Sequence, residues 1–286
     1  MKKDIRSLFG LKFNPFGLEL PIEALLMTPR IDDFCWRIEH SLVAEGGFGL
    51  VTGETGTGKS AALRLLNERL EGLRDVTVGV IDHPQSGLAD FYREMGELFS
   101  VSLKPHNRWA GFRDLRERWL AHADSTLCRP VLLIDEAQEM SPEVVSELRI
   151  LTSARFDSRN LLGVVLSGDS RLLKKLQRQE LLPIGSRIRT RLLLEQASKS
   201  ELGDCLAHLL KTAGAVKLMS PELMDTLCDH AVGNYRALVI MAGELLAIAA
   251  RRGLEQLDEK LYLEAYAPAA HQTEPTSTRR NNRHRR

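Results

Sequence analysis

The stretch "GETGTGKS", at residues 53–60, constrains the fold of this chain more than any other feature of the sequence. The apolar run "FGLVTG" (48–53) leads into it and predicts a buried strand. Apolar residues with helical spacing follow it from residue 59 to about residue 70. A glycine-rich loop that ends in Lys-Ser and joins a strand to a helix has the pattern and the context of a phosphate-binding loop. The sequence therefore predicts an α/β fold with a phosphate site on this loop.

The chemistry of the loop explains why these residue types are needed. Glycines let the backbone curl so that successive N–H groups face phosphate oxygens, and the following helix N-terminus adds partial positive charge. Lys59 is expected to neutralise the β- and γ-phosphates, and Ser60 is expected to ligate Mg²⁺. The residues expected to contact the nucleotide are Gly53, Glu54, Thr55, Gly56, Thr57, Gly58, Lys59, Ser60 and Ala61. This pattern predicts that the loop binds ATP or a close relative.

A second half of the site is expected at the end of another strand. The run "PVLLIDEA" (130–137) is almost continuously apolar and ends in two acids. Asp135 is expected to hold Mg²⁺ through water, and Glu136 to orient and polarise the attacking water. The alternative is a pair of carboxylates that stabilise a helix N-terminus. Together with the phosphate loop, the two acids predict a Mg²⁺-dependent ATPase.

The rest of the chain divides into two structural classes. Apolar strands alternate with helices up to about residue 196, which predicts a parallel sheet covered by helices on both faces. Beyond that point only helical patterns occur. The predicted organisation is an N-terminal arm and helix packed on the ATPase core (1–45), an αβα P-loop ATPase domain (46–196), a small all-helical domain (197–266) and a basic disordered tail (267–286).

Composition restricts the compartment and the metals. No run of about 18 apolar residues and no signal-peptide pattern is present in the sequence, so we expect a cytoplasmic protein with no membrane partner. The four cysteines, at positions 35, 128, 205 and 228, have neither metal-ligand nor redox spacing. Mg²⁺ is therefore the metal that the sequence implies.

Charge is unevenly distributed along the chain. The formal net charge is +1, but residues 271–286 carry five arginines against the single acid Glu274. The remainder is therefore slightly acidic. A basic tail of this kind is typical of a disordered segment that contacts nucleic acid or another acidic partner. A solvated tail with no specific role is the alternative.

At this point the chain resembles the AAA+ ATPases, over roughly residues 1–265. The resemblance rests on the phosphate loop, on the box "LLIDEAQEM" and on three further segments. The strand "VVLSGD" ends where the family places sensor 1, a polar residue that contacts the γ-phosphate or the water. Ser167 is the candidate for this role, with Asp169 second. The helical region would then be the lid domain of that family.

The other two segments supply arginines. "PIGSRIRTRL" resembles the segment that carries the arginine finger, with Arg187 as the candidate and Arg189 and Arg191 as alternates. A finger acts on the phosphate of the neighbouring subunit, so the resemblance implies a homo-oligomer, either a ring or a helical filament. "VGNYRAL" (232–238) resembles the sensor 2 box of the lid, with Arg236 reaching back to the nucleotide.

Within AAA+ the sequence resembles the ExeA-like branch through "LKFNPF" (11–16), "MTPR" (27–30) and "LIDEAQEM". That branch contains secretion ATPases, which continue into a transmembrane segment and a cell-wall-binding domain. It also contains transposition regulators similar to the IstB, TniB, TnsC and MuB ATPases, which oligomerise on DNA with ATP and hand a target to a transposase. Because this sequence ends at "TRRNNRHRR", we expect the DNA-bound type. An ExeA-type secretion-assembly ATPase and a replication helicase loader remain the alternatives.

A DNA-bound ATPase needs basic contacts to the duplex backbone. Such contacts follow phosphates, carry little sequence specificity and weaken strongly with salt. The candidates are Lys104, Arg108, Arg149 and Arg155. The alternative is an ordinary polar surface. Trp109 and Trp119 share a predicted helix whose spacing favours core packing over base stacking.

Overall fold

A five-stranded parallel sheet forms the centre of the molecule. The computed structural model describes residues 5–102, 108–125, 129–154 and 159–266. The strands are β1 (Gly47–Gly53), β2 (Val76–Ile81), β3 (Arg129–Ile134), β4 (Ser153–Ala154), β5 (Arg159–Asn160), β6 (Gly163–Gly168) and β7 (Ile188–Leu194). The main sheet has the order β2-β3-β6-β1-β7, and β4 and β5 form a separate antiparallel pair. The predicted parallel sheet is thus confirmed, whereas the short antiparallel pair was not expected.

Helices cover the sheet, and four helices joined by short connections form the described region after β7, up to residue 266. The α-helices are α1 (Ile5–Phe9), α2 (Pro29–Arg37), α3 (Val43–Glu45), α4 (Lys59–Glu71), α5 (Leu88–Leu98), α6 (Arg108–Ser125), α7 (Pro142–Thr152), α8 (Ser170–Leu176), α9 (Leu182–Gly185), α10 (Lys199–Thr212), α11 (Pro221–Ala231), α12 (Tyr235–Arg252) and α13 (Glu259–Tyr266). A π-helical segment (Ile38–Leu42) joins α2 to α3. Among the described helices, none has the length and apolar character to cross a membrane.

Local sequence signals set where several of these helices begin. Thr28, Ser141 and Ser220 each accept a hydrogen bond from a backbone N–H of the first helical turn, and each is followed by a proline. Proline suits this position because its ring presets φ and the missing N–H would have no helical partner. Ser198 and Glu201 form a reciprocal capping box at the start of α10. The first helix of the helical region is therefore specified four residues after β7 ends.

The sheet is buried on both faces because side chains alternate along each strand. Leu50 and Leu132 point to one face, which α5, α6, α7 and α8 cover. Val51 and Leu133 point to the opposite face, which α2 and α4 cover. Near-continuous apolar strands are the expected sequence of a parallel sheet with two covered faces. This packing places the carboxyl ends of all five strands along one edge, where the loops are.

The N-terminal arm does not pack as expected. We expected residues 1–45 to lie on the ATPase core, and the part from Ile22 onwards does so. Leu11 and Phe16 lie instead in the core of the helical region, and the backbone N–H of Lys12 donates to the carbonyl of Ala213 at 3.0 Å. Close approach is allowed by a glycine in α12, since a Cβ at Gly243 would lie 3.3 Å from the Cβ of Phe16. The arm thus completes a small helical core.

Helix α6 buries one of its two tryptophans. Trp119 is buried and packs edge-to-face on Phe99, with ring centroids 5.3 Å apart. Trp109 is 70% exposed and stacks on Phe112 at the helix surface. Core packing is therefore confirmed for Trp119 and wrong for Trp109. The reason is angular, because at 3.6 residues per turn Trp109 lies roughly 120° around the helix from the buried Leu115.

The packing of the arm can be tested with a pair of truncations. Phe16 is buried and Leu18 is fully exposed on the same segment. We expect Phe16→Ala to lower the free energy of unfolding by about 3 kcal/mol, because it leaves a cavity in the helical core. Leu18→Ala should change it by less than about 0.5 kcal/mol. Urea denaturation measures both, and equal stability of the two variants would contradict the observed packing.

Candidate nucleotide site

The phosphate loop joins β1 to α4 in the conformation that its glycines permit. Gly56 and Gly58 have φ angles of 84° and 98°, in the left-handed region that side chains rarely adopt. A Cβ at Gly53 would overlap the carbonyl oxygen of Leu194 on β7. The loop is therefore closely packed against the edge strand, and a substitution at any of these glycines would deform it.

Lys59 begins α4 and folds under the loop. It is buried, and its Nζ donates to the carbonyl oxygen of Glu54 at 3.2 Å. The Thr57 hydroxyl donates to the same oxygen at 2.8 Å. The ammonium group thus lies inside the curl of the loop, where a bound phosphate would accept its remaining protons. These residues fit a nucleotide phosphate.

The carboxylate of Asp135 joins three elements at the edge of the sheet. The Ser60 hydroxyl donates to its Oδ2 at 2.6 Å, from the first turn of α4. The Ser167 hydroxyl donates to its Oδ1 at 2.8 Å, from the end of β6. The backbone N–H of Glu136 also donates to Oδ1, at 2.9 Å. Four residues predicted from separate motifs therefore lie within one hydrogen-bonded group, and the oxygens of Ser60 and Asp135 would hold Mg²⁺.

Asp169, the second candidate for sensor 1, is engaged elsewhere. Its carboxylate accepts from the backbone N–H of Arg171 at 2.8 Å and forms an ion pair with the Arg171 guanidinium at 2.9 Å. Burial acts to raise the pKa of Asp169, but the hydrogen bonds and charge of Arg171, with a further contribution from Lys59, hold it below its usual range. Ser167 is therefore the sensor 1 candidate that contacts the carboxylate of Asp135, from the end of β6.

A cavity of about 530 Å³ opens from the phosphate loop. It begins at Thr57, Gly58 and Ala61 and extends between the N-terminal segment and the helical region. Its apolar lining is formed by Leu25, Leu26, Ile31, Leu209, Tyr235 and Val239. The cavity has the position and character to hold the base and ribose of a nucleotide. Sequence analysis did not assign these residues to the site, because they come from three segments far apart in the chain and only Tyr235 lies in a motif.

The helical region contacts the phosphate loop directly through the start of α12. The Asn234 side chain donates to the carbonyl of Thr55 at 3.0 Å, and its oxygen caps α12. The backbone N–H of Tyr235 donates to the carbonyl of Gly56 at 3.0 Å. Arg236 follows on the first turn of α12 and is exposed. The segment predicted to reach the nucleotide therefore lies at the loop, and Asn234 is a contact that sequence analysis missed.

The first finger candidate, Arg187, lies at the end of the sheet opposite the phosphate loop. Arg187 comes directly before β7, whose first residue pairs with Phe48 and whose last residue pairs with Gly53. The first and last residues of β7 are six residue steps apart, which corresponds to roughly 20 Å. Arg187 is thus too far from the loop of its own subunit to reach a phosphate there. All three candidates make contacts within the subunit: Arg187 donates to the carbonyl of Pro183 at 2.9 Å, Arg189 forms an ion pair with Glu45, and Arg191 donates to the carbonyl of Gly185.

The structure describes two of the four candidate DNA contacts, Arg108 and Arg149. Lys104 and Arg155 lie outside the described residues. Arg108 forms an ion pair with the buried carboxylate of Glu147 at 2.5 Å. Arg149 is half-buried on α7. Arg108 therefore has an internal role as a counter-ion that its sequence pattern did not reveal.

The cysteines that the structure describes are neutral, buried or half-buried thiols. Burial raises the pKa of Cys35 and that of Cys205, each to about 11. Cys205 also lines the cavity. In the described ranges no group of three His, Cys, Asp or Glu side chains could hold a metal ion. Cys128 and the basic tail lie outside those ranges.

Comparison with known proteins agrees with this geometry. Residues 43–176 match the AAA domain family. The chain is 29% identical over 253 residues to the general secretion pathway protein A of Aeromonas hydrophila. That alignment covers 87% of this chain and 45% of the Aeromonas protein, so the chain spans less than half of the length of its relative.

Solved structures with the same fold include two origin recognition proteins of Aeropyrum pernix. ORC2, solved as ADPNP-ADP complexes, superposes with a TM-score of 0.69 at 16% identity, over 88% of this chain and 70% of that one. ORC1, solved in complex with DNA, gives 0.64 at 18% identity, over 84% of this chain and 67% of that one. Residues 43–176 are therefore similar to the AAA domain family, and the chain has the AAA+ P-loop fold.

Proposed function

We propose that this protein binds Mg²⁺-ATP and hydrolyses it. The observation that carries the proposal is the carboxylate of Asp135, which Ser60 and Ser167 share at the mouth of the phosphate loop. Lys59 neutralises the phosphates, and Ser60 and Asp135 hold the metal ion. Glu136 accepts a proton from the water that attacks the γ-phosphorus, while the bond from that phosphorus to the ADP oxygen breaks.

Residues 197–266 act as a lid in this proposal. The contacts of Asn234 and Tyr235 with the loop support it, because they join the helical region to the phosphate site. Arg236, one residue further along, is the side chain that reaches the nucleotide when the lid closes on it. The base occupies the apolar cavity between the lid and the N-terminal segment.

Two substitutions separate binding from hydrolysis. Lys59→Ala should weaken ATP binding at least tenfold, because the loop loses its buried positive charge. Glu136→Gln should bind ATP normally and lose roughly 100-fold or more in kcat, because the amide cannot accept the proton. Titration with a fluorescent ATP analogue and phosphate release measure the two effects. Glu143→Gln, an exposed acid on α7, is the matched control. Normal turnover by Glu136→Gln would contradict the assignment.

The separation of Arg187 from its own loop, roughly 20 Å along β7, supports a role for it in a neighbouring subunit. An arginine placed by a partner stabilises negative charge that develops on the transferred phosphoryl group. We propose that each nucleotide site is completed by Arg187 of the adjacent protomer in a homo-oligomer. Hydrolysis then depends on assembly.

Mixing two inactive proteins tests the shared site. Arg187→Ala keeps its own Glu136, and Glu136→Gln keeps its own Arg187. Each should be nearly inactive alone, and a mixture should recover a measurable fraction of wild-type turnover at interfaces where the two intact halves meet. Arg189→Ala, mixed in the same way, is the control. A mixture with Arg187→Ala that stays inactive would show that Arg187 does not complete a neighbour's site.

We further propose that this ATPase assembles on double-stranded DNA, where it marks a target for a transposase. Hydrolysis drives disassembly and limits the lifetime of the mark. Two observations support a DNA partner: the resemblance to the transposition regulators, and the shared fold with an origin recognition protein that was solved in complex with DNA. A replication helicase loader would share DNA binding but would not require a transposase.

The second candidate is a secretion-assembly ATPase of the ExeA type. It is favoured by the 29% identity to the general secretion pathway protein A, over 87% of this chain. In that role the ATPase would act together with a membrane partner. Both candidate functions use the same nucleotide site, so identification of the binding partner is what distinguishes them.

Sedimentation with a random-sequence DNA duplex distinguishes the DNA-bound role from the secretion-assembly role. With a non-hydrolysable ATP analogue we expect the protein to pellet with DNA as large assemblies, and less so at high salt, because backbone contacts release counterions. Lys59→Ala with the same analogue is the control and should stay in the supernatant. If the wild-type protein binds no DNA with any nucleotide, the DNA proposal fails and the secretion candidate is favoured.

A further inference from the structure

We propose that Gln138 is a positioning residue that orients the carboxylate of Glu136 and couples it to the end of β6. This inference rests on the proposed ATP hydrolysis and adds a residue to that site. Gln138 lies two residues after Glu136 and is only 6% exposed. A buried amide must find hydrogen-bond partners for both its oxygen and its nitrogen, so its neighbours define what it does.

The partners of Gln138 determine the orientation of its amide. Its Oε1 accepts a hydrogen bond from the backbone N–H of Asp169 at 3.3 Å. A backbone N–H can only donate, so the oxygen must face Asp169 and the Nε2 group must face the other way. That Nε2 group donates to Oε2 of Glu136. The side chain therefore bridges the proposed base and the strand that carries Ser167.

Gly168 leaves the space that this bridge occupies. A Cβ at Gly168 would overlap Oε1 of Gln138. The same Cβ would come within 2.9 Å of a methyl group of Leu172 on α8. The bridge thus depends on a glycine that directly follows Ser167, at the end of a fully buried strand.

The segment that carries Gln138 is held on both sides. Glu136 has a left-handed backbone conformation, with a φ angle of 50°, and its carbonyl accepts from the N–H of Glu139. Lys175 of α8 donates to the carbonyls of Gln138 and Met140. The backbone of Gln138 is therefore tied to α8, while its side chain is tied to β6. This restraint makes the amide a well-defined donor to Glu136.

The consequence concerns the geometry of the attacking water. The bond from Gln138 engages one oxygen of the Glu136 carboxylate and orients the other as a proton acceptor. Misplacement of a reacting group by about 1 Å can reduce a rate roughly 100-fold, whereas ground-state binding is unaffected. Loss of the bridge should therefore lower kcat and leave nucleotide affinity unchanged.

Two substitutions remove the same bond from opposite sides. Gln138→Ala deletes the amide, and Gly168→Ala displaces it without altering Gln138. We expect each to lower kcat by roughly 10- to 100-fold with the Kd for an ATP analogue within about twofold of wild type. The double variant should be no slower than the slower single variant, because both act through one interaction. Gln177→Ala, which replaces the exposed glutamine that directly follows α8, is the matched control.

Each other outcome has a defined meaning. A wild-type kcat for Gln138→Ala, with Glu136→Gln inactive, overturns the positioning role and leaves the proposed ATPase intact. A faster Gln138→Ala protein also overturns it, because Gln138 would then restrain Glu136. Additive losses, or a loss of analogue binding or folding, would assign the residue to packing. If the wild-type protein does not hydrolyse ATP, the result contradicts the proposed ATPase function itself.

Discussion

The shared carboxylate of Asp135 is the interaction on which the rest of the site depends. It joins α4, β3 and β6 through hydroxyl groups of Ser60 and Ser167. These elements can meet only because parallel strands end at the same edge of the sheet and because both faces of that sheet are packed. A polar group so close to the core must be hydrogen-bonded. The carboxylate of Asp135 meets this need for two residues, because it accepts a hydrogen bond from each of the Ser60 and Ser167 hydroxyls.

The helical region also contacts the phosphate loop at this edge of the sheet. Asn234 and Tyr235 contact the carbonyls of Thr55 and Gly56, which are backbone groups. Backbone contacts respond to the conformation of the loop and are independent of its side chains. The N-terminal arm strengthens this arrangement, since Phe16 packs in the helical core while Ile31 packs on the ATPase core. The N-terminal segment from Phe16 to Ile31 therefore connects the helical core to the ATPase core.

Much of the fold and half of the site could be predicted from local patterns. The helix expected from Lys59 begins at that residue, and the acids expected at a strand end lie there because strand polarity places them. The cavity, Gln138 and Asn234 could not be predicted in the same way, because each depends on contacts between segments far apart in sequence. The prediction that Trp109 packs in the core was wrong for another reason: apolar character alone does not tell which face of a helix is buried.

The strand geometry also bears on the proposal that a neighbouring subunit completes each nucleotide site. Every strand of the main sheet ends at the nucleotide edge, so a residue placed before β7 must lie at the far edge of that sheet. Arg187 can meet a phosphate only if another protomer presents its own nucleotide edge there. Glu136, in contrast, is tied through Gln138 to β6 of its own subunit. Movement at the end of β6 and arrival of a neighbour would therefore act on opposite sides of one phosphate, so that hydrolysis would require both.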